Sequence, residues 1–227
     1  MADTIAIGDP LITVKVRRTR NAKRLTLRVP SIGGEPVLTA PLHVREHLLT
    51  DFLEERTDWL QQAMERIPQP RGIRDGMVLP VDGQDMRVAL TRRRGIRVEG
   101  QCLELPQSRP GPAALGWLKT VARDRIITLA DHYARRVGRP HTGLTLRDPR
   151  SRWGSCSSDG RLMLSWRLIL APPAVCDYVV AHEAAHLIEM NHGQDFWRLT
   201  EELCPDWRSH RDWLRTNGSE LHQWRFD

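Results

Sequence analysis

Apolar and polar residues alternate between Leu11 and Val29: in RLTLRV, Leu25, Leu27 and Val29 point one way and Arg24, Thr26 and Arg28 the other. A two-residue period is that of a half-buried strand. Gly33-Gly34 then predicts a turn into another strand at PVLTA. After Pro41 the period lengthens. Val44, Leu48, Phe52, Leu53, Trp59, Leu60 and Met64 recur at helical spacing until IPQPRG stops them, which predicts one helix ending near Ile67. Met77–Leu79 and Met86–Leu90 flank Asp82-Gly83, a hairpin signal, and Ile96–Val98 with Leu103–Leu105 extend the meander around Gly100.

The segment PQSRPGPA, residues 106–113, has three prolines and no periodicity, so it reads as a linker. It divides the chain into a β-rich region with one helix, 1–110, and a second region, 111–227. In the second, Leu115, Leu118, Val121, Ala122, Ile126, Leu129 and Tyr133 mark a long helix closed by Gly138 and Pro140. Next come a strand near Leu144–Leu146, a loop around SRWGSCSSDG, a strand at Leu162–Leu164 and a helix through YVVAHEAAH. Short helices over Phe196–Cys204 and Trp207–Thr216 follow. Strands and helices in separate runs predict the α+β class.

Composition changes the picture modestly. The net charge is +6, and only Lys15, Lys23 and Lys119 among the 34 basic residues are lysines. Guanidinium forks suit carboxylates and phosphates, so an anionic substrate or nucleic acid enters as a partner. The cluster Arg17, Arg18, Arg20, Lys23, Arg24 and Arg28 is the place for nucleic acid, although alternation puts several of these on a solvated strand face. Cys102, Cys156, Cys176 and Cys204 form no Cys-x-x-Cys pair and read as reduced thiols of a cytoplasmic protein. MADTIAIGDP lacks the features of a secretory signal and no apolar run approaches membrane-spanning length, so no membrane role is expected.

The candidate chemistry lies in YVVAHEAAHLIEMNHGQDFW, residues 178–197. Four residues along a helix advance about 6 Å and turn about 400°, so His182 and His186 project from one face toward a single ion. Glu183, rotated by about 100° from His182, stands at the side of that ion, where it can take a proton from a water on it. His192 lies six residues past His186 and would point away on an unbroken helix. A sharp turn through Asn191 and Gly193, both tolerant of left-handed backbone, brings it back. Three imidazoles with one open position describe a catalytic zinc site, one ion per chain. Glu201 or Glu202 is the alternative third ligand, and Glu189 stands where the metzincin pattern requires glycine.

Around this core, Arg152 and Trp153 are candidates for substrate binding, Arg152 toward a carboxylate, a phosphate or a developing oxyanion. Asp195 either steadies the His192 ring or serves as a helix N-terminal carboxylate. Cys156 reads as a packed thiol, and Phe196 and Trp197 as packing against the active-site helix.

SRWGSCSSDGRLMLSWRLILAPPAVCDYVVAHEAAH, with NHGQDFW and PDWRSHRDWL after it, resembles the YgjP-like metallopeptidase-domain family, relatives of the WLM and SprT-like groups. RNAKRLTLRV and DFLEERTDWL extend the resemblance over roughly residues 13–216, and Ser165 departs from the asparagine common there. The resemblance implies a zincin-like C-terminal region, His182, His186 and His192 as ligands, and Glu183 as the catalytic carboxylate. The activity expected is metal-assisted hydrolysis of a peptide or protein. Alternatives are hydrolysis of a nucleoside triphosphate, which is attributed to some members, a nucleic-acid-binding module, and a protease acting on DNA-bound proteins.

Overall fold

The computed structural model describes residues 3–30 and 32–227, and the chain divides by its own contacts into two compact units that meet at Pro70 and Arg71. In the first unit β1 (Asp3–Ile7), β2 (Ile12–Arg18), β3 (Thr26–Arg28) and β4 (Val37–Ala40) form a sheet of order β1-β2-β4-β3. The alternation read from the sequence sets which side chains are inside: Val14, Val16 and Leu38 are buried and Leu27 half-buried, while Lys15, Thr26 and Arg28 are exposed. Gly33 and Gly34, at φ 31° and 117°, make the predicted turn.

The expected single helix is two, α1 (Glu46–Glu54) and α2 (Thr57–Glu65). The break has a local cause. Thr57 Oγ1 donates to the Leu53 carbonyl at 3.2 Å and the Arg56 guanidinium to the Phe52 carbonyl at 3.1 Å, while Arg56 N–H also tightens onto Leu53 O. Side chains thus take the acceptors that a continuing helix needs. Leu49, Leu53 and Leu60 still reach the core of this unit, with Ile7, Val14, Val16, Leu38 and Ala40.

The second unit begins with β5 (Arg71–Gly72), followed by β6 (Val78–Val81), β7 (Gln84–Thr91), β8 (Arg97–Glu99) and β9 (Cys102–Pro106). Asp82 and Gly83 have φ 47° and 78°, the left-handed pair of a two-residue hairpin between β6 and β7. The meander does not continue. The sheet order is β6-β7-β9-β8, with β9 parallel to β7, because β9 carries the fully buried Leu103 and Leu105 whereas every residue of β8 is exposed.

Residues 106–113 are not a linker. β9 leads almost directly into α3 (Pro110–Arg136), which has proline at its first position, and Ala114 is fully buried. Leu79, Val81, Met86, Val88, Leu103 and Leu105 share one core with α3 and the elements after it. The boundary expected near residue 110 therefore falls inside this unit, and IPQPRG, read only as a helix stop, is where the units meet.

α3 is followed by β10 (Gly143–Arg147), β11 (Gly154–Cys156) and β12 (Arg161–Ser165), in the order β10-β12-β11. A short 3-10 helix, Trp166–Leu170, comes next, and Ser165 caps it by accepting from Arg167 N–H at 3.3 Å. Then come α4 (Pro173–Ala185), α5 (Gln194–Leu203), α6 (Trp207–Asn217), a 3-10 turn over Gly218–His222, and β13 (Trp224–Arg225) parallel to β5. Among the described residues the fold is mixed, with four small sheets and six α-helices, and no helix is long and apolar enough to cross a membrane.

α4 carries the site and is buried nearly all round, with Val175, Cys176, Val179, Val180, Ala181, Ala184 and Ala185 in the core. α3 fixes it from one side, where Tyr133 O–H donates to Asp177 at 2.8 Å. Arg139, just after α3, donates to the Leu187 carbonyl at the end of α4, and Arg136 donates to Leu203 and Glu202 carbonyls at the end of α5, at 3.0 and 2.8 Å. Cations at helix C-termini satisfy orphan carbonyls and complement the dipole.

Candidate metal centre and active site

His182 lies in the last turn of α4 and His186 caps it. The chain then tightens through Leu187 N–H to Ala184 O and Ile188 N–H to Ala185 O, both 3.0 Å, and closes with Gly193 N–H to Asn191 O at 2.7 Å. His192 returns to the other two rings without the expected left-handed residue. Asn191 is not among the described residues with positive φ, and Gly193 is extended, φ −78° and ψ −171°, as the N-cap of α5. Successive short-range hydrogen bonds at the helix end do the turning that a left-handed residue was expected to do.

The three imidazoles converge. His192 Nε2 stands 3.2 Å from both His186 Nε2 and His182 Nε2, and the donor atoms of the three rings all lie within 4.8 Å of one another. Nitrogens on a tetrahedral ion with bonds of about 2.0–2.1 Å stand about 3.3–3.4 Å apart, so the donor set fits zinc. His186 Nδ1 faces the Glu189 carbonyl at 2.9 Å, which places the proton on Nδ1 and leaves the Nε2 lone pair toward the others. His182 Nδ1 is buried and has no hydrogen-bond partner among the described residues, while its Nε2 faces His192. Burial, then the neighbouring rings, pushes the His182 pKa down to about 3, so the ring is a neutral donor at physiological pH.

Phe196, fully buried in the first turns of α5, is the common backing of the cage. Its ring stacks on His186 at 4.4 Å and meets His182 and His192 edge-on at 4.9 and 4.7 Å. Trp197 flanks His192 and stacks on Trp207 at 4.3 Å. Glu201 pairs with Arg208 at 2.7 Å, and neither it nor Glu202 belongs to the cluster. Asp195 pairs with Arg198 at 2.9 Å in the first turn of α5, so its observed place is the helix N-terminus rather than a bond to His192. Cys156 is a free, half-buried thiol that burial pushes up to about 11, and it is outside the cluster.

Glu183 is buried and its carboxylate lies against the backbone of β11. A Cβ placed on Gly154 would stand 2.5 Å from Glu183 Oε1 and 2.6 Å from its Cγ, so a larger residue at this position of SRWGSC would displace the acid. Burial raises the Glu183 pKa to about 8, against the pull of the Arg152 charge. A cation beside it acts in the same direction as Arg152 and favours the carboxylate.

Glu183 and His182 open into a cleft of about 380 Å³. Arg152 and Trp153 form one wall, Tyr178 and Val179 of α4 the floor, and Arg211, Leu214 and Arg215 of α6 the other wall. The structure places Arg152 and Trp153 in the cleft lining with Glu183 and His182. The sequence reading missed Gly154, Tyr178 and the α6 residues, although SRWGSC and PDWRSHRDWL contain Gly154 and Arg211. A larger hollow of about 660 Å³ beside Asp131 and His141 includes none of the three histidines, so chemistry rather than size selects the site.

Trp153 is packed closely against Gly218 and His222. A Cβ on Gly218 would come within 3.0 Å of its ring, and His222 lies over it at 5.1 Å. Behind them the buried Arg167 grips Asp148 with two bonds of 2.6 and 3.0 Å and donates to the Leu221 carbonyl at 2.9 Å. Burial first, then the Arg167 charge, lowers the His222 pKa to about 4, with Asp148 opposing. Below the ordinary value near 6.5 the unfolded chain therefore takes a proton that the folded one refuses. Stability contributed by neutral His222 is complete above about pH 6.5 and is lost as pH falls toward 4. At equal metal content, His222→Phe should show a shallower drop in melting temperature between pH 7 and 4 than the wild type, and parallel curves would remove this role.

Among curated proteins no match was found. A crystal structure of the metallopeptidase zymogen of Pyrococcus abyssi abylysin shares 22% identity over 40% of this chain and 92% of that one, with a TM-score of 0.37, a likeness too weak to carry fold or function across. The profile of the YgjP-like metallopeptidase domain, by contrast, spans residues 23–217, including the convergent histidines, Glu183 and both walls of the cleft. The chain belongs to the YgjP-like metallopeptidase-domain family.

Proposed function

We propose that this protein is a zinc-dependent peptidase of zincin-like arrangement in which His182, His186 and His192 hold one ion and Glu183 is the catalytic carboxylate. The observation that carries the reading is the convergence of three imidazoles, with His192 Nε2 3.2 Å from the Nε2 of each of the other two, beside a buried carboxylate in an open cleft. Bound there, zinc supplies Lewis acidity toward the scissile carbonyl and acidifies the attacking water. Glu183 accepts the proton of that water and later delivers it to the departing amine, which cannot leave unprotonated. The β11 backbone at Gly154 and the burial around it hold the carboxylate in one place, so no reorientation precedes proton transfer. Trp153 and Arg152 bind the substrate on one side of the cleft, and the apolar floor at Val179 excludes water from beneath it.

Purified protein should take up one zinc per chain and cleave peptides when loaded. His192→Ala should lower zinc affinity steeply and abolish cleavage. A zinc-loaded wild type that cuts no peptide while hydrolysing nucleoside triphosphates would replace this reading with the nucleotide one, although no glycine-rich phosphate loop is present.

A further inference from the structure

Two guanidiniums face the cleft without an acidic partner. Among the described ion pairs none involves Arg152 or Arg211, and Arg215, paired with the exposed Asp212 at 3.5 Å, adds a third cation at the same mouth. The cleft lining contains one acid, Glu183, which is committed to proton transfer in the reading above. Arg211 is also fixed in place. Its guanidinium lies 4.8 Å from the Trp207 ring centroid and 5.6 Å from that of Trp197, and those two indoles stack on each other. A guanidinium held over aromatic faces has already given up much of its rotamer freedom, which an ordinary solvated arginine has not.

The two cations line the same cleft as the reacting groups. The Arg211 charge bears on Tyr178 and His182, and the Arg152 charge bears on Glu183. Trp153, Val179 and Leu214 add apolar surface to the same lining. A cavity of about 380 Å³ is at the small end of ligand sites, enough for a short stretch of extended peptide. Phosphates are commonly cradled by successive backbone N–H groups, and no glycine-rich loop for that purpose occurs in the chain. An anion on a short aliphatic stem fits these surfaces better than a polyphosphate does.

We infer that the cleft selects peptides bearing a carboxylate next to the scissile bond, with Arg211 as its main partner and Arg152 as the second. The inference rests on the peptidase reading for the word scissile, but the recognition itself is separable from turnover. The carboxylate has two sources, an aspartate or glutamate side chain and a free C-terminus, and the chemistry that grips either is the same bidentate pairing.

The test is binding to zinc-loaded Glu183→Gln protein, which holds peptides without depending on cleavage. Fluorescein-labelled alanine-rich hexapeptides carry one glutamate at successive positions, or glutamine in its place, each with a free or amidated C-terminus, and anisotropy reads affinity. At one register, or with the free terminus alone, the acidic peptide should bind about 10- to 100-fold tighter than its neutral twin, the size of a hydrogen bond to a charged group. Arg211→Gln in the same background should erase that advantage, and Arg152→Gln, at an exposed position that leaves the fold intact, should reduce it. Equal affinity of the twins, or an advantage that survives both substitutions, overturns the inference. So does competition by ATP stronger than by any acidic peptide and dependent on Arg211. Failure of zinc-loaded wild type to cut peptides bears on the proposed function and leaves this measurement standing.

Discussion

Zinc-loaded Glu183→Gln should keep its metal and lose peptide hydrolysis by about 10²- to 10⁴-fold, the range that general acid–base catalysis contributes. Glutamine preserves the shape that fits against Gly154, and the three ligand rings do not depend on the carboxylate, so the cage should load normally. The loss should appear in kcat more than in KM, because the proton is moved only in the transition state. Gly154→Ala tests the same point from the other side. Its new methyl would occupy space within 2.6 Å of Glu183 Cγ, so the acid must shift while its chemistry is unaltered. Metal content measured beside single-turnover rates decides the matter: full activity in Glu183→Gln with zinc bound would leave the mechanism without its base.

Phe196→Ala should be the most damaging single change away from the reacting atoms. A fully buried phenylalanine cut to alanine costs about 3–5 kcal/mol, from lost transfer energy and the cavity left behind. Here the cavity opens against all three ligand rings at once, since Phe196 is within 4.9 Å of each. Zinc affinity should therefore fall by about 10- to 100-fold, as when the groups that orient metal ligands are removed. Phe196→Leu, which keeps most of the volume, separates the effects. It should recover most of the stability seen in urea denaturation and less of the affinity, because a branched aliphatic cannot stack on His186. Unchanged zinc binding in Phe196→Ala would show that the cage needs no backing.

The clustering of the three histidines was legible because its geometry is local. His182 and His186 are four residues apart on a helix whose apolar pattern is unmistakable, and His192 is reachable within one short turn. The means of turning was not legible, since Asn191 and Gly193 advertise a left-handed backbone that the hydrogen bonds after Ala185 make unnecessary. The α1–α2 break was hidden for a related reason, because Leu49, Leu53 and Leu60 keep helical spacing across it and the deciding groups are the side chains of Arg56 and Thr57. Parallel pairing of β7 with β9 leaves no mark in either segment. Gly154 and Arg211 gain their meaning only from α4 lying opposite, so a single sequence shows them as a turn glycine and a surface arginine.

The cage has two unequal supports. His182 and His186 stand on a helix sunk in the interior, and displacing them means dissolving the centre of that unit. His192 stands on a surface bend whose neighbours Ile188 and Met190 are exposed, so that bend can open at far smaller free energy. Under the proposed ligand set, opening that bend would withdraw one donor while the interior that fixes the other two stays intact, so an ion could be exchanged without unfolding the centre of the unit.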